Sequence, residues 1–378
     1  MFKNNIIQSQ KLLKNSSSLT LESLQNIHIL FVKNDHINKD NAPILIESFR
    51  KIAEILLYGD QNDQIIVDYF LENLMIKYFL NYLNLDNKNA FGVSKQILQT
   101  LNILFENISS NTSIYYLLSN NLTDTIIRHK FNLQDEEIIA YYITFLKTLS
   151  FRTNINTLAF FFNNSDQDFP LLFESLKLFN HSENMVKIAV RTIILNICQI
   201  KCEILAKFIY ENVAFSYFLS IALYLGTLFL EIDDIITSSA QNEGKLDHLI
   251  SEMIANLLYI NDFFKLDTPD LSSMLLYIIM SFLYVPLVTN SLKNNETISK
   301  SKELPILSRR TVIFILGQSL AIVQYKPFVE ILLEIMLYPD ISTEKGLEIL
   351  KMYENDSEKP SDDTSIPELV RKNSKIVS

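Results

Sequence analysis

Glycine and proline are scarce, 6 and 9 in a chain of 378 residues, too few for a loop-rich β fold. Cysteine is nearly absent, with only Cys198 and Cys202. Together with a start reading Met1-Phe2-Lys3-Asn4-Asn5, which carries no cleavable signal, that scarcity points to the reducing, cytosolic side of the cell. Sequons such as Asn107-Ile108-Ser109 are then chance products of an asparagine-rich composition. Positive charge is short too. The formal net charge is −10, which argues against nucleic acid, whose phosphates demand a concentrated basic surface. Catalytic patterns are also missing. His28, His36, His129, His181 and His248 are scattered, with no His-Glu-x-x-His, glycine-rich phosphate loop or serine-nucleophile elbow.

What the chain does have is apolar residues at helical spacing. They make up 48% of the sequence, enough for a continuous core in an all-α protein. A stack of helical repeats can reach this length without a domain boundary, because each unit touches only its neighbours. Order is expected from about Leu21, where Leu24, Ile27 and Phe31 share a face. Pro43 opens a second helix carrying Leu45, Phe49, Ile52, Ile55 and Leu56, which Gly59 is expected to stop. Ile66, Tyr69, Phe70 and Leu74 follow, then a short aromatic helix through Tyr78 and Tyr82. Leu98, Leu101, Phe105 and Ile108 form another stripe, as do Ile138, Tyr142, Phe145 and Leu149. Asn132 is placed to cap the latter helix, with Asp135, Glu136 and Glu137 in its first turn. Thr311–Leu337 reads as the last apolar block, broken at Pro327, after polar stretches at Thr237–Lys245 and Lys293–Pro305. From Asp340 the apolar content falls, and Glu354–Ser378 reads as a solvated tail.

Two uncharged runs, Val213–Leu230 and Leu271–Leu292, span 18 and 22 residues and are long enough to cross a bilayer. Recurring serines and threonines in both, Pro286 in the second and the acidic flank Glu231, Asp233, Asp234 favour buried helices over spans. The competing reading is a polytopic membrane protein with spans near 213–230 and 271–292.

Candidate sites are few. Cys198 and Cys202 would share a helix face, but no further Cys or His nearby completes a metal shell, so two small core cysteines are expected, with no metal and no cofactor. Gly59-Asp60-Gln61-Asn62-Asp63 is read chiefly as an inter-helix turn, with Gly59 relieving backbone strain and Asp60, Asn62 or Asp63 capping the next helix. Asp60, Gln61, Asn62 and Asp63 are also the first candidates for partner contact. Arg128, His129 and Lys130 form a compact basic patch, read chiefly as solvated surface and secondarily as a contact for an anionic headgroup or partner.

Residues 99–150, QTLNILFENISSNTSIYYLLSNNLTDTIIRHKFNLQDEEIIAYYITFLKTLS, closely resemble the FPL-domain family typified by the endosomal-maturation-defective protein of animals, to which C-type-lectin-domain family 16 member A is similar. Ile55–Asp63 upstream and Phe179–Thr192 downstream carry more of the signature. The likeness is strong from about Ile44 to Ile197 and followable to about Pro339. Asn180–Ile197 is similar to the second helix of an armadillo or HEAT unit, with Ala189 allowing a close crossing, Val186, Val190, Ile193 and Ile197 in the core, and Lys187 and Arg191 outside it. An irregular armadillo/HEAT-like α-solenoid is therefore expected, with helix pairs spaced by roughly forty residues. Its segments would be a lead-in at 1–20, the FPL domain at 21–197, a continuation of the solenoid at 198–340 and a polar tail at 341–378. The resemblance implies a non-enzymatic scaffold in endosome–lysosome or vacuole trafficking and autophagy, peripheral on endosomal, lysosomal or Golgi membranes, with Rab small GTPases, tethering complexes or ubiquitin ligases as partners. Larger animal members carry long C-terminal extensions, so roles housed there are not expected of this chain. Direct ubiquitin-ligase activity, proposed within the family, finds no RING spacing and no thioester cysteine in a charged surface setting here.

Overall fold

A computed structural model describes residues 18–86, 92–119, 122–238, 243–289, 291 and 307–337. Among these residues the only strand-like pairing is a single antiparallel bridge between Asn163 and Asp168, and the fold is all-α. The chain divides into two units, Met1–Ile200 and Lys201–Ser378.

In the first unit, α1 (Leu21–Lys33) starts at Thr20, whose side chain accepts from the Ser23 amide, and buries Leu24, Ile27 and Phe31. α2 (Ala42–Asn62) has Pro43 in its first turn, where a missing N–H costs nothing. Gly59 does not stop this helix. It lies inside it, buried, and the helix runs three residues further. α3 (Gln64–Glu72) then ends before Leu74, which turns the chain at a φ of 51° instead of continuing the stripe. α4 (Ile76–Leu85), α5 (Val93–Asn107), α6 (Asn111–Ser119) and α7 (Leu122–Ile127) follow.

α8 (Glu136–Arg152) is capped by Asp135, whose carboxylate accepts from the Glu137 and Ile138 amides. Asn132 instead accepts from Gln134, within the preceding turn. The cap sits three residues later than the spacing suggests because the helix begins only at Glu136, which leaves Asp135 and not Asn132 in the residue before its first turn. α9 (Pro170–Leu176) and α10 (Asn184–Cys198) complete the unit.

α2, α5, α8 and α10 pack one on the next in chain order. Side chain to backbone bonds fix the register. Thr100 donates to the Phe49 carbonyl at 3.1 Å, Asn102 to that of Tyr141 at 3.0 Å and Arg152 to that of Phe105 at 2.8 Å. Asn196 donates to the Ser150 hydroxyl at 2.9 Å. The partners are 51, 39, 47 and 46 residues apart. Positions advance together along α2, α5 and α8, so these neighbours run parallel, and a parallel neighbour requires an intervening return of about this length. Leu98, Leu101, Phe105, Tyr142, Phe145 and Leu149 are all buried between them, each contributing about 1.5–3 kcal/mol relative to exposure.

In the second unit, α11 (Glu203–Ile209) passes through a π-helical turn, Tyr210–Ala214, into α12 (Phe215–Thr237). α13 (Glu243–Phe264) and α14 (Pro269–Ile279) pack on α12, and a second π-helical stretch, Met280–Thr289, extends α14. α15 (Arg309–Ile322) and α16 (Lys326–Leu337) close the described chain. The last block breaks at Val323–Tyr325, not at Pro327, which lies in the first turn of α16 where proline is tolerated. The lead-in before residue 18, residues 239–242 of the 237–245 turn, the 293–305 linker and the 341–378 tail lie outside the described residues.

Candidate partner-binding site

The Gly59–Asp63 cluster is not an open turn. Gly59 sits where α2 meets α3 so closely that an added Cβ would lie 2.9 Å from the Ile66 Cβ. Its role is close approach, since its backbone is ordinary helix. The Asp60 carboxylate reaches across to the segment before α6, accepting from the Ser109 amide at 2.8 Å and hydroxyl at 2.9 Å, and from Ser113 Oγ at 3.5 Å. Asp60 therefore secures the entry to α6 and caps nothing in α3. Asp63 ends α2 and begins α3, with its side chain accepting from the Ile65 amide at 3.2 Å. Gln61 and Asn62 are exposed, and Asn62 donates to the Tyr58 carbonyl at 3.0 Å.

The Arg128-His129-Lys130 patch is less basic than its sequence. Arg128 bonds the Asp124 carboxylate at 3.1 Å and the Asp168 carboxylate more closely still. Partial burial opposes its charge, but these two carboxylates outweigh that and raise its pKa. His129 is half-buried against Phe131, and burial holds its pKa below the usual imidazole value, so it is neutral at pH 7. That leaves Lys130 as an exposed cation, too little on its own to hold an anionic headgroup.

Cys198 ends α10 and is buried, while Cys202 precedes α11 and is half-exposed. The helix breaks between them, so they do not share a helical face and only Cys198 is a core residue. Burial pushes the Cys198 thiol pKa up to about 12, far from a reactive thiolate. Among the described residues no three of His, Cys, Asp and Glu gather where they could hold a metal ion.

Three arrangements escaped the sequence reading. Arg152 is the clearest, donating to the carbonyls of Phe105, Glu106 and Ile108 at 2.8, 2.8 and 3.0 Å, which closes the C-terminus of α5 from the end of α8. His28 lies between two tyrosine hydroxyls, Nδ1 to Tyr69 at 3.0 Å and Nε2 to Tyr78 at 3.3 Å, joining α1 to α3 and α4. Lys95 pairs with Asp135 at 3.0 Å and Glu137 at 2.5 Å, tying α5 to α8. No local motif announces contacts made across 40 or more residues.

Among the described residues one helix, Glu203–Thr237, is long and apolar enough to cross a membrane by length and composition, and 61% of its most apolar stretch is buried inside the protein. The second uncharged run falls on Pro269–Val285, a shorter apolar helix.

These features define an all-α protein whose polar clusters lock helices to one another and in which nothing positive points to catalysis. The chain belongs to the FPL-domain family, alongside the CLEC16A proteins. Residues 49–198 match FPL, described as an uncharacterised conserved protein, and residues 241–376 match the CLEC16A helical domain. It is 41% identical to human Protein CLEC16A over 327 residues, covering 85% of this chain and 31% of that protein. Similarity to the Drosophila melanogaster Protein CLEC16A homolog is 38% over 360 residues, 89% of this chain and 34% of that protein. With Protein TRANSPARENT TESTA 9 of Arabidopsis thaliana it is 29% over 298 residues, 77% of this chain and 35% of that protein. The chain thus spans about a third of the length of the curated relatives it matches.

Proposed function

We propose that this chain is a non-enzymatic helical scaffold acting in endosome–lysosome or vacuole trafficking and in the regulation of autophagy, peripherally on endosomal, lysosomal or Golgi membranes. Its partners are tethering complexes, Rab small GTPases or ubiquitin ligases. The observation that supports this most is family membership running through both matched segments. The ordered parallel packing of α2, α5 and α8 supports an armadillo/HEAT-like stack, whose continuous side offers a long surface on which a few buried anchors set affinity. Gln61, Asn62 and Lys130 are the members of the two candidate clusters left most open to a partner. Deleting the gene in its host tests the reading: disturbed acidic compartments and autophagic flux are expected, and normal ones reject it. Ubiquitin-ligase activity is not part of the proposal: the sequence carries no RING spacing, and the buried Cys198 thiol, with its raised pKa, is a poor thioester nucleophile. An in vitro ubiquitination assay with the Cys198→Ser/Cys202→Ser protein checks that point.

The competing reading, an integral membrane protein, draws on the length and apolarity of Glu203–Thr237. Alkaline carbonate separates the two. Release from membranes is expected of the scaffold, and retention would demand the span.

A further inference from the structure

α13 and α15 pack on each other and run parallel. Asp233, near the end of α12, accepts from the Ser308 amide and the Thr311 hydroxyl at the start of α15. Tyr217 and Tyr224 of α12 bond Tyr259 and Glu252 of α13, which brings the start of α13 to the same end of α12. At the far end the Gln324 amide donates to Asn261 Oδ1 at 2.9 Å, so Asn261 is level with Gln324. The outer sides of the two helices form one apolar surface. On α15, Ile313, Gly317 and Ala321 are exposed at four-residue spacing, and no charged residue follows Arg310 as far as Ile322. On α13, Ser251, Ala255 and Leu258 are exposed, and no charge occurs from Met253 to Asn261. Ile313 and Leu258 project, 67% and 48% exposed, whereas a Cβ added to Gly317 would meet nothing within 4 Å. A solvated helix carries charge on its outer side. Isolated exposed apolar residues are ordinary, but two adjoining uncharged stripes mark a contact surface.

Shape and polarity both match this surface to its own copy. The register of Asn261 with Gln324 puts Gly317 level with Ile254. A two-fold axis lying across both helices at that level sets Ile313 over Ala321 of the second copy and Leu258 over Ser251 of the second copy, a large side chain over a small one in each row. Because α13 and α15 are parallel, their dipoles add, positive at one end of the surface and negative at the other. Only the end-over-end arrangement brings unlike ends together. Arg310 gains directly: it is exposed in the first turn of its own helix, where the dipole disfavours a cation, and comes level with Gln324 of the second copy, beside the carbonyls that end α15. Ion pairs balance the rim, Asp262 with Lys265, Lys326 with Glu330 and Lys245 with Glu231, and Asp247 meets the first of them.

We propose that a second copy of this chain docks on α13 and α15 through this two-fold, with Gly317 facing itself across the axis. The surface is roughly 20 Å on a side, so the dimer is a weak one. Sedimentation equilibrium of the full chain is the first test. The average mass is expected to rise from monomer toward dimer between about 1 and 100 µM. Gly317→Trp should weaken association about tenfold or more and leave the thermal midpoint unchanged, because its side chain enters open space. Single cysteines in a Cys202→Ser background read the geometry. Under copper-catalysed air oxidation Gly317→Cys should form a disulfide with its own copy, and Arg310→Cys, about 20 Å from its counterpart along the helix, should not. A chain that stays monomeric at the highest concentration, a dimer that tolerates Gly317→Trp, or equal cross-linking at the two positions overturns the proposal.

Discussion

Gly59 and Ile66 meet at the crossing of α2 and α3 with no room for a methyl group between them: a Cβ on Gly59 would lie 2.9 Å from the Ile66 Cβ and 3.3 Å from Val67 Cγ2. Alanine in a helix interior is about 1 kcal/mol better than glycine, so propensity alone would make Gly59→Ala stabilising. Overpacking a tight contact costs about 1–3 kcal/mol, and the obstructing atom is a branched Cβ close to its own backbone. Gly59→Ala is therefore expected to lower stability by about 1 kcal/mol, read as a lower urea midpoint with an unchanged slope. A higher midpoint would mean that the two helices separate freely.

The apolar stripes of α1, α2, α5, α8 and α10 were legible in the sequence because burial at a helical period is a local pattern. Leu24, Phe49, Leu101, Phe145 and Val190 are all buried as their spacing requires. The polar residues were not. Gly59 was read as a helix stop and Asp60 as part of a turn because their partners, Ile66 and Ser109, are set by helix crossings that one sequence does not reveal. Arg128 and His129 were read as charged surface because Asp168 is 40 residues from Arg128 and burial of an imidazole leaves no trace in composition. Family resemblance carried the functional reading, and the residues alone supplied its helical half.

Asp60 is predicted to matter for folding before it matters for any partner. Its carboxylate holds the Ser109 amide and hydroxyl together, and loss of such a cap costs about 0.5–2 kcal/mol. Asp60→Ala should lower the thermal midpoint, and Asp60→Asn should recover part of the loss because an amide oxygen still accepts. If Asp60→Ala leaves the midpoint unchanged, the contact with Ser109 contributes nothing and a partner role regains weight.

Acid should weaken the first unit through two histidines. Burial lowers the pKa of His28 and of His129 from the ordinary imidazole value of 6.5. A base whose folded pKa is depressed adds stability above its unfolded value, and that stability is lost as pH falls below about 6.5 toward the folded pKa, because the unfolded chain binds the extra proton. Asp135 acts in a lower window. The Lys95 hydrogen bond lowers its pKa below 3.8, so its contribution persists until strong acid. Thermal midpoints measured from pH 7.5 to 5 should decline, and His28→Gln/His129→Gln should flatten that decline while lowering the plateau. An equally steep decline in the variant would assign the pH dependence to other groups.

Leu223 and Leu225 lie two residues apart on α12 and test whether this helix belongs to the protein interior or to lipid. Leu223 is 57% exposed and Leu225 is fully buried. In the same helix Tyr224 bonds Glu252 on α13 and Asp233 accepts from Thr311 on α15, so its neighbours supply polar partners that a lipid-facing helix would lack. An aspartate at Leu225 would be a buried charge in an apolar site, costing several kcal/mol. At Leu223 it would point into water and change stability by no more than about 0.5 kcal/mol. Leu225→Asp is therefore expected to give insoluble or unfolded protein, and Leu223→Asp to give soluble protein with an ordinary melt. A spanning helix makes no such distinction, since aspartate near the bilayer centre is costly on either side, about 2.5–3.5 kcal/mol on insertion scales. Equal failure of the two variants to reach their folded state would favour the span, and the contrast between them favours a helix whose apolar side is spent on α13 and α14.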